Sequence, residues 1–300
     1  MSNLISEINT HLDAIIMEEE EIDNSIKEMI ISFKEAKDEN NYYFGQLCIL
    51  HYTEFSNSFD DDIFKIAAVI ELLILSLDVI DDIQDKDTEH VWTTNPALSI
   101  NCALSIIVLS NKIIQDSSFK HANRAAHYVE KCILRSINGQ QKDLLNNCQD
   151  ERSYLKMIED KSGSLTAMSC LLGVILATGK VPPQVFAYGS YIGVIQQINN
   201  DIYELKNWSG KNDIINRKYS LPVIYLLSLH NDASENLHAY YRGENQANLD
   251  KELIEQALLE SGAIRYANII KSVYKNKATN LFNEIGLSNV LYKELQNYMR

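Results

Sequence analysis

The sequence predicts an all-α protein, a large bundle of helices around a central apolar cavity. Three observations predict it. Only 11 glycines and 4 prolines punctuate 300 residues, too few for the turns that many short strands require. Long stretches repeat apolar residues at helical spacing, and no heptad persists as it would in a coiled coil. No Ser/Gly-rich, Pro-rich or short-period repeated segment divides the chain, so residues 1–300 read as one domain.

Helical patterns cover roughly 3–36, 41–55, 61–88, 96–115, 119–148, 151–178, 183–207, 218–231, 249–260, 263–284 and 287–299. The breaks between them have chemical reasons. Asp60, Asp61 and Asp62 precede an apolar run and suit a helix N-terminus, where carboxylates meet unpaired N–H groups. Asn95-Pro96 opens the next helix. The apolar run Pro96 to Ile114 is interrupted by Asn101, several serines and Asn111, so it reads as a buried helix and not a membrane span. Gly179 ends one helix and Pro182-Pro183 begins another. A Gly-containing loop, Asn207 to Lys211, closes that one, and Asn231 to Asn248 reads as a polar loop.

Composition narrows the function. A net charge of −14 argues against a nucleic-acid partner, whose phosphates would be repelled. The five cysteines are scattered and form no CxxC pair, which fits reduced buried thiols rather than a disulfide framework or a zinc site. The first twenty or so residues have no basic region followed by an apolar core. A cytoplasmic location is expected, with peripheral membrane contact left open.

The chemistry concentrates in two stripes. Asp78, Asp81, Asp82 and Asp85 stand at i, i+3, i+4, i+7 and share one helical face. A helix reaching solvent explains Asp85, Asp87 and Glu89, but not Asp78 among Leu75, Leu77, Val79 and Ile80. Carboxylates this close repel one another unless a cation holds them. With no His or Cys in the set, a hard cation such as Mg²⁺ fits best. About 120 residues later Gln197, Asn200, Asp201 and Glu204 repeat the spacing with less charge. Gly189 and Gly193, just before them, would let another helix approach closely.

Four segments together resemble the trans-isoprenyl diphosphate synthase family. They are DDIQD at Asp81 to Asp85, GxxxGxxxQIxND at Gly189 to Asp201, DIINRKYSLPVIYLL at Asp213 to Leu227, and YLKMIEDKSGSL at Tyr154 to Leu165, which is similar to that family's Lys-Thr region. They lie in the family's order and span about half the chain. The resemblance implies an isoprenoid-synthase-type bundle, usually homodimeric, in which up to three Mg²⁺ ions bridge the acidic motifs and an allylic diphosphate. Carried over by position, the metal ligands would be Asp81, Asp82, Asp85 and Asp201, with Asn200 and Glu204 beside them. Lys161, Lys218 and Lys211 would grip diphosphate, Gln197 would line the cavity near the allylic cation, and Ser76, Leu77 and Asp78 would line the substrate channel. A small Ser76 leaves room for a farnesyl as well as a geranyl chain.

The chain departs from the family where a second diphosphate would bind. The Gly-Lys-x-Arg segment of elongating members is replaced by ENNYYFGQLCIL, Glu39 to Leu50, which holds no Lys or Arg. A family His is replaced by Ile74, and paired arginines by His90 and Val91. A dianion without cationic partners is not held in a partly buried pocket. The acceptor is therefore expected to be something other than isopentenyl diphosphate, as in the branch of the family that prenylates a tryptophan in a small competence-pheromone precursor peptide. Tyr42, Tyr43 and Trp92 fall in the altered segments and could stack on an indole or shield the cation, or simply pack. The alternatives are a chain-elongating polyprenyl diphosphate synthase, a class I terpene cyclase and a non-catalytic subunit of a heteromeric synthase. Glu204 and Trp208 break the cyclase pattern, and an intact DDIQD argues against the subunit.

Overall fold

The computed structural model describes residues 2–37, 42–87, 90–208, 212–244 and 249–300. Every regular element among them is helical. In chain order they are α1 (Ser2–Glu18), α2 (Asn24–Ala36), α3 (Tyr43–Phe55), α4 (Asp62–Asp85), α5 (Pro96–Asp116), α6 (Ala122–Leu144), α7 (Glu151–Ile158), α8 (Ser164–Thr178), α9 (Pro183–Glu204), α10 (Leu221–Leu227), α11 (Asp232–Tyr241), α12 (Lys251–Glu260), α13 (Ala263–Ile285) and α14 (Asn289–Tyr298). A 3₁₀ turn, Val91–Thr93, precedes α5, and a π-helical turn, Glu159–Gly163, joins α7 to α8.

Two helices, α4 and α8, form the centre. From Ile63 to Ser76 almost every α4 side chain is buried, and α8 is buried nearly all round, as expected for a helix that is apolar on every face. Around them pack α3, α5, α6, α9 and α13. A second, smaller apolar cluster unites α10, α11 and α12 through Val223, Leu226, Leu237, Ile254 and Leu258.

Several boundaries differ from the sequence reading, each for a local reason. The stretch 3–36 is two helices. Glutamates 18–21 sit where the helix dipole disfavours negative charge, and Asp23 then caps α2 by accepting the Ser25 N–H at 2.8 Å. The Asp60 to Asp62 triplet does mark a helix start, with Asp60 Oδ1 accepting the Asp62 N–H at 3.1 Å. The loop expected over Asn231 to Asn248 contains α11, opened by a reciprocal Asn231/Ser234 capping box and pinned by buried Ala233 and Leu237. Residues 245–248 of that stretch lie outside the described part. α5 is not the buried helix expected: one side packs on α4 and α6, while Leu98, Leu104 and Val108 are exposed. By length and composition α5 and the stretch Glu151–Thr178 could each cross a membrane, but the second is mostly interior.

The Gly189/Gly193 pair does what its spacing suggests. A Cβ on Gly189 would lie 2.7 Å from Ala167 Cα, and one on Gly193 2.7 Å from both Gly163 Cα and Ser162 O. These contacts press α9 against the π turn and the first turn of α8. Gly193→Ala should therefore overpack this seam and destabilise the fold by about 1–3 kcal/mol. A lower urea midpoint with an unchanged slope is the expected result; an unchanged midpoint would show that α9 can move away freely.

A candidate active-site cavity

A cavity of about 920 Å³ opens between α4, α6, the π turn, α9, the segment 212–220 and the end of α14. α4 contributes Glu71, Ile74, Asp78, Asp81 and Asp85, and α9 contributes Gly193, Gln197, Asn200, Asp201 and Glu204. Steps of three and four residues make each set a single stripe. Leu47, Leu77, Ile80, Ile107, Met157 and Leu165 supply apolar wall.

The polar end is built around two lysines. Lys161 Nζ lies 2.8 Å from Asp143 Oδ2 and 3.2 Å from Asp81 Oδ1. Lys218 Nζ lies 2.7 Å from Asp85 Oδ1 and 3.6 Å from the same Asp143 oxygen. Burial works against the Lys161 ammonium, but the carboxylates of Asp81 and Asp143 outweigh it and raise its pKa. The π turn explains how Lys161 reaches this place. One extra residue per turn shifts the side-chain directions. Its neighbour Asp160 is clamped outside by Arg135 Nε at 2.7 Å, Lys156 Nζ at 2.8 Å and Lys142 Nζ at 3.0 Å. Burial would raise the Asp160 pKa, yet these three cations hold it below the usual range. The Ser136 hydroxyl donates to Lys161 O at 2.8 Å and fixes the turn from α6.

Asp201 faces Lys161 across this end and is almost fully buried. The Tyr154 hydroxyl donates to its Oδ2, and Gln197 Nε2 donates to its Oδ1 at 2.9 Å. Ser162 Oγ in turn donates to Gln197 Oε1 at 2.5 Å. Burial, and then the nearby Asp213 carboxylate, push Asp201 up to about 8. Among the described lining residues six carboxylates (Asp81, Asp85, Asp143, Asp201, Glu204, Asp213) meet two lysines at this end. Among the described residues the carboxylates outnumber the cations. An all-oxygen set with surplus negative charge suits hard divalent cations.

The part of the cavity between α3, α4 and α14 carries different chemistry. Lys37 Nζ, just past α2, lies 2.7 Å from Asp78 Oδ2. Glu71 is buried and accepts the Gly45 N–H at 2.6 Å. Burial pushes Glu71 up to about 7 against the pull of Lys37. Tyr43 and Tyr298 meet edge to face at 5.5 Å and line the same region.

The polyprenyl synthetase family model matches residues 43–258. The chain belongs to the polyprenyl synthetase family. It is 32% identical to the tryptophan prenyltransferase ComQ of Bacillus subtilis (strain 168) over 281 residues, covering 91% of each chain. It is 34% identical to the tryptophan prenyltransferase ComQ of Bacillus subtilis subsp. natto (strain BEST195), covering 91% of this chain and 85% of that one. A polyprenyl synthetase from Streptomyces coelicolor A3(2) has the same fold, with a TM-score of 0.83 at 17% identity over 100% of this chain and 97% of that one. The protein is thus an all-α enzyme of the prenyltransferase class, with the general Mg²⁺-dependent chemistry of the isoprenoid synthases.

Within this polyprenyl synthetase fold, the residues singled out from sequence do not all converge. Asp81, Asp85, Lys161, Gln197, Asn200, Asp201, Glu204 and Lys218 surround the polar end, and Leu77 and Asp78 line the cavity. Lys211 lies outside the described residues. Asp82 is not on the cavity wall. Its Oδ2 accepts the Trp92 Nε1–H at 3.0 Å and lies 3.7 Å from His90 Nε2. Ligand atoms of Asp82, Asp87 and His90 fall within 4.8 Å of one another, a cluster that could hold a metal ion. Ser76 is fully buried with its hydroxyl donated to Leu73 O at 2.6 Å, so the wall at that level is Leu77.

Of the three aromatics considered for the acceptor, only Tyr43 lines the cavity. Trp92 is 3% exposed, stacked on His90 and edge-on to Phe33, and Tyr42 is buried with its hydroxyl donated to Asn9. Packing claims both. Sequence reasoning missed Lys37, Asp143, Tyr154 and Asp213, because none shares a helical stripe with either acidic motif. Asp143 alone left a trace, as a carboxylate on the cavity side of an otherwise amphipathic helix.

The raised Asp201 pKa has a signed consequence. As pH rises from about 4 to 8, the unfolded carboxyl ionises while the folded one keeps its proton, so this group lowers stability across that window. Asp201→Asn removes the effect. In metal-free protein its stability relative to wild type should rise from pH 5 to pH 8 by roughly 1–3 kcal/mol, measured by urea unfolding in chelator. Parallel pH profiles for the two proteins would refute the assignment.

Proposed function

We propose that this enzyme ionises an allylic diphosphate, geranyl or farnesyl, and transfers the prenyl group to a tryptophan of a small precursor peptide. One observation carries the reading: the cation on the acceptor side, Lys37, is already paired with Asp78 and flanked by Glu71. A second diphosphate would meet two carboxylates there and no uncommitted cation among the described lining residues. Ile74 adds an apolar wall where elongating relatives are expected to carry His. The similarity to tryptophan prenyltransferases over nine-tenths of the chain supports the same acceptor class. A pheromone precursor, and with it quorum sensing and competence, follows from that likeness.

In this reading Asp81, Asp85 and Asp201, with Asn200 and Glu204, would hold up to three Mg²⁺ ions, and Asp82 stands behind them, tied to Trp92. Bound there, Mg²⁺ supplies charge neutralisation for the leaving diphosphate. Lys161 and Lys218 exchange their carboxylate partners for diphosphate oxygens and orient it. Gln197, tied to Asp201 and Ser162, presents its amide near the allylic cation. Leu47, Leu77, Ile80 and Ile107 keep water from the tail. Exposed apolar residues on α5 and α6, Val108 at 70% exposure and Leu134 at 62%, support a homodimer through this face.

A second reading, chain elongation with isopentenyl diphosphate, is favoured by the family model and by the fold of the Streptomyces coelicolor enzyme. At the level of family and fold these speak for elongation more directly than for a peptide acceptor. The test pits the acceptors against each other. The enzyme is given geranyl or farnesyl diphosphate, Mg²⁺, and either isopentenyl diphosphate or the co-expressed precursor peptide. Mass spectrometry should find a prenyl mass on tryptophan and no lengthened diphosphate. A lengthened prenyl diphosphate would overturn the proposal in favour of elongation, and a terpene hydrocarbon would point to a cyclase. Val108→Asp should separately halve the mass seen by light scattering; an unchanged mass would place the dimer face elsewhere.

A further inference from the structure

Resting on the proposed indole acceptor, we infer that Asp78, held by Lys37, is the catalytic residue that receives the acceptor's ring N–H and takes its proton as the new carbon–carbon bond forms. Asp78 sits in an apolar sequence, between Leu77 and Val79, yet lines the cavity with its side chain 47% exposed. A buried-helix carboxylate in such a place needs a purpose beyond solubility. Lys37 takes Oδ2 at 2.7 Å, while Oδ1 has no hydrogen bond among the described residues. An ionised carboxylate accepts hydrogen bonds only, so the free oxygen suits an N–H donor.

Position decides between the two acids on this side. Asp78 precedes Asp81 by three residues, about 4.5 Å along the helix axis. A ring bonded to Asp78 therefore lies one turn from the diphosphate end, beside the reacting carbon. Glu71 lies seven residues further back, about 10.5 Å, and its carboxylate is occupied by the Gly45 N–H. Lys37 fixes the Asp78 side chain. Tyr43 gives the ring an aromatic neighbour.

The step balances. The C1–O bond of the allylic diphosphate breaks and its electron pair leaves on diphosphate. A π pair of the indole ring forms the new bond to C1. The resulting indoleninium loses its N–H proton to the Asp78 carboxylate, which passes it to water at the cavity mouth.

The experiment uses the full chain with Mg²⁺, farnesyl diphosphate and two synthetic decapeptides, one with a central tryptophan and one with 1-methyltryptophan, which has no ring N–H. The quantity read is the ratio of prenylated peptide to prenyl alcohol, the product of water capture. With tryptophan, Asp78→Asn should lower that ratio on the order of 100-fold relative to wild type. With 1-methyltryptophan the two enzymes should not differ. Equal ratios with tryptophan overturn the role of Asp78. An equal loss on both peptides shows that the substitution merely reshapes the pocket, and a raised Mg²⁺ requirement for diphosphate release assigns Asp78 to the metal site; either result overturns it as well. If wild type prenylates neither peptide and instead lengthens farnesyl diphosphate with isopentenyl diphosphate, the acceptor reading fails first and takes this inference with it.

Discussion

Surplus negative charge at one end of a buried cavity governs the rest of this structure. Asp81 and Asp85 from α4, Asp143 from α6, Asp201 and Glu204 from α9, and Asp213 from the following segment all reach the same small volume. Two lysines bridge part of the set, with Asp143 shared between them. Burial, and then the nearby Asp213 carboxylate, favour the protonated form of Asp201. The resting enzyme is thus an arrangement waiting for positive charge. The two lysines offset part of the carboxylates' mutual repulsion.

Holding such a cluster requires rigid surroundings, and the scaffold supplies them through close backbone contact. Gly189 and Gly193 let α9 lie against Ala167 and the π turn, so Asp201 and Lys161 are set by the same seam. The triple clamp on Asp160 fixes that turn from outside. Behind α4, the stack of His90 on Trp92, with the indole N–H on Asp82, restrains the other acidic motif. Residues that an inspection of motifs would send into the cavity act here as its supports.

Between α3, α4 and α14 the charges differ from those at the lysine end. One lysine between two carboxylates leaves little attraction for a dianion, while two tyrosines and apolar wall favour a flat, neutral ring. The fold is that of polyprenyl synthetases, so the acceptor proposed above rests on a handful of side chains on α3, α4 and the end of α2. Function on this scaffold is therefore a matter of one subsite and not of architecture.

The sequence by itself determined the fold class, most helix positions and the two acidic stripes, because helical periodicity and sparse glycine and proline are local properties of the chain. It also determined that α9 would be approached closely, since glycines four apart leave a groove on one face. Its errors were of more than one kind. The charge run at 18–21 and the capping box at Asn231 are local signals that were outweighed by apparent pattern. Lys37 carried no signal, Asp143 only a trace, and Tyr154 and Asp213 stood in family-like segments without a role of their own. Only the tertiary structure decided that these four reach the cavity, that Asp82 and Trp92 face each other behind it, and that Lys37 is neutralised by Asp78. The physical reason is that a stripe on one helix is fixed by 3.6 residues per turn, whereas a meeting between helices depends on packing angles set by every other contact in the core.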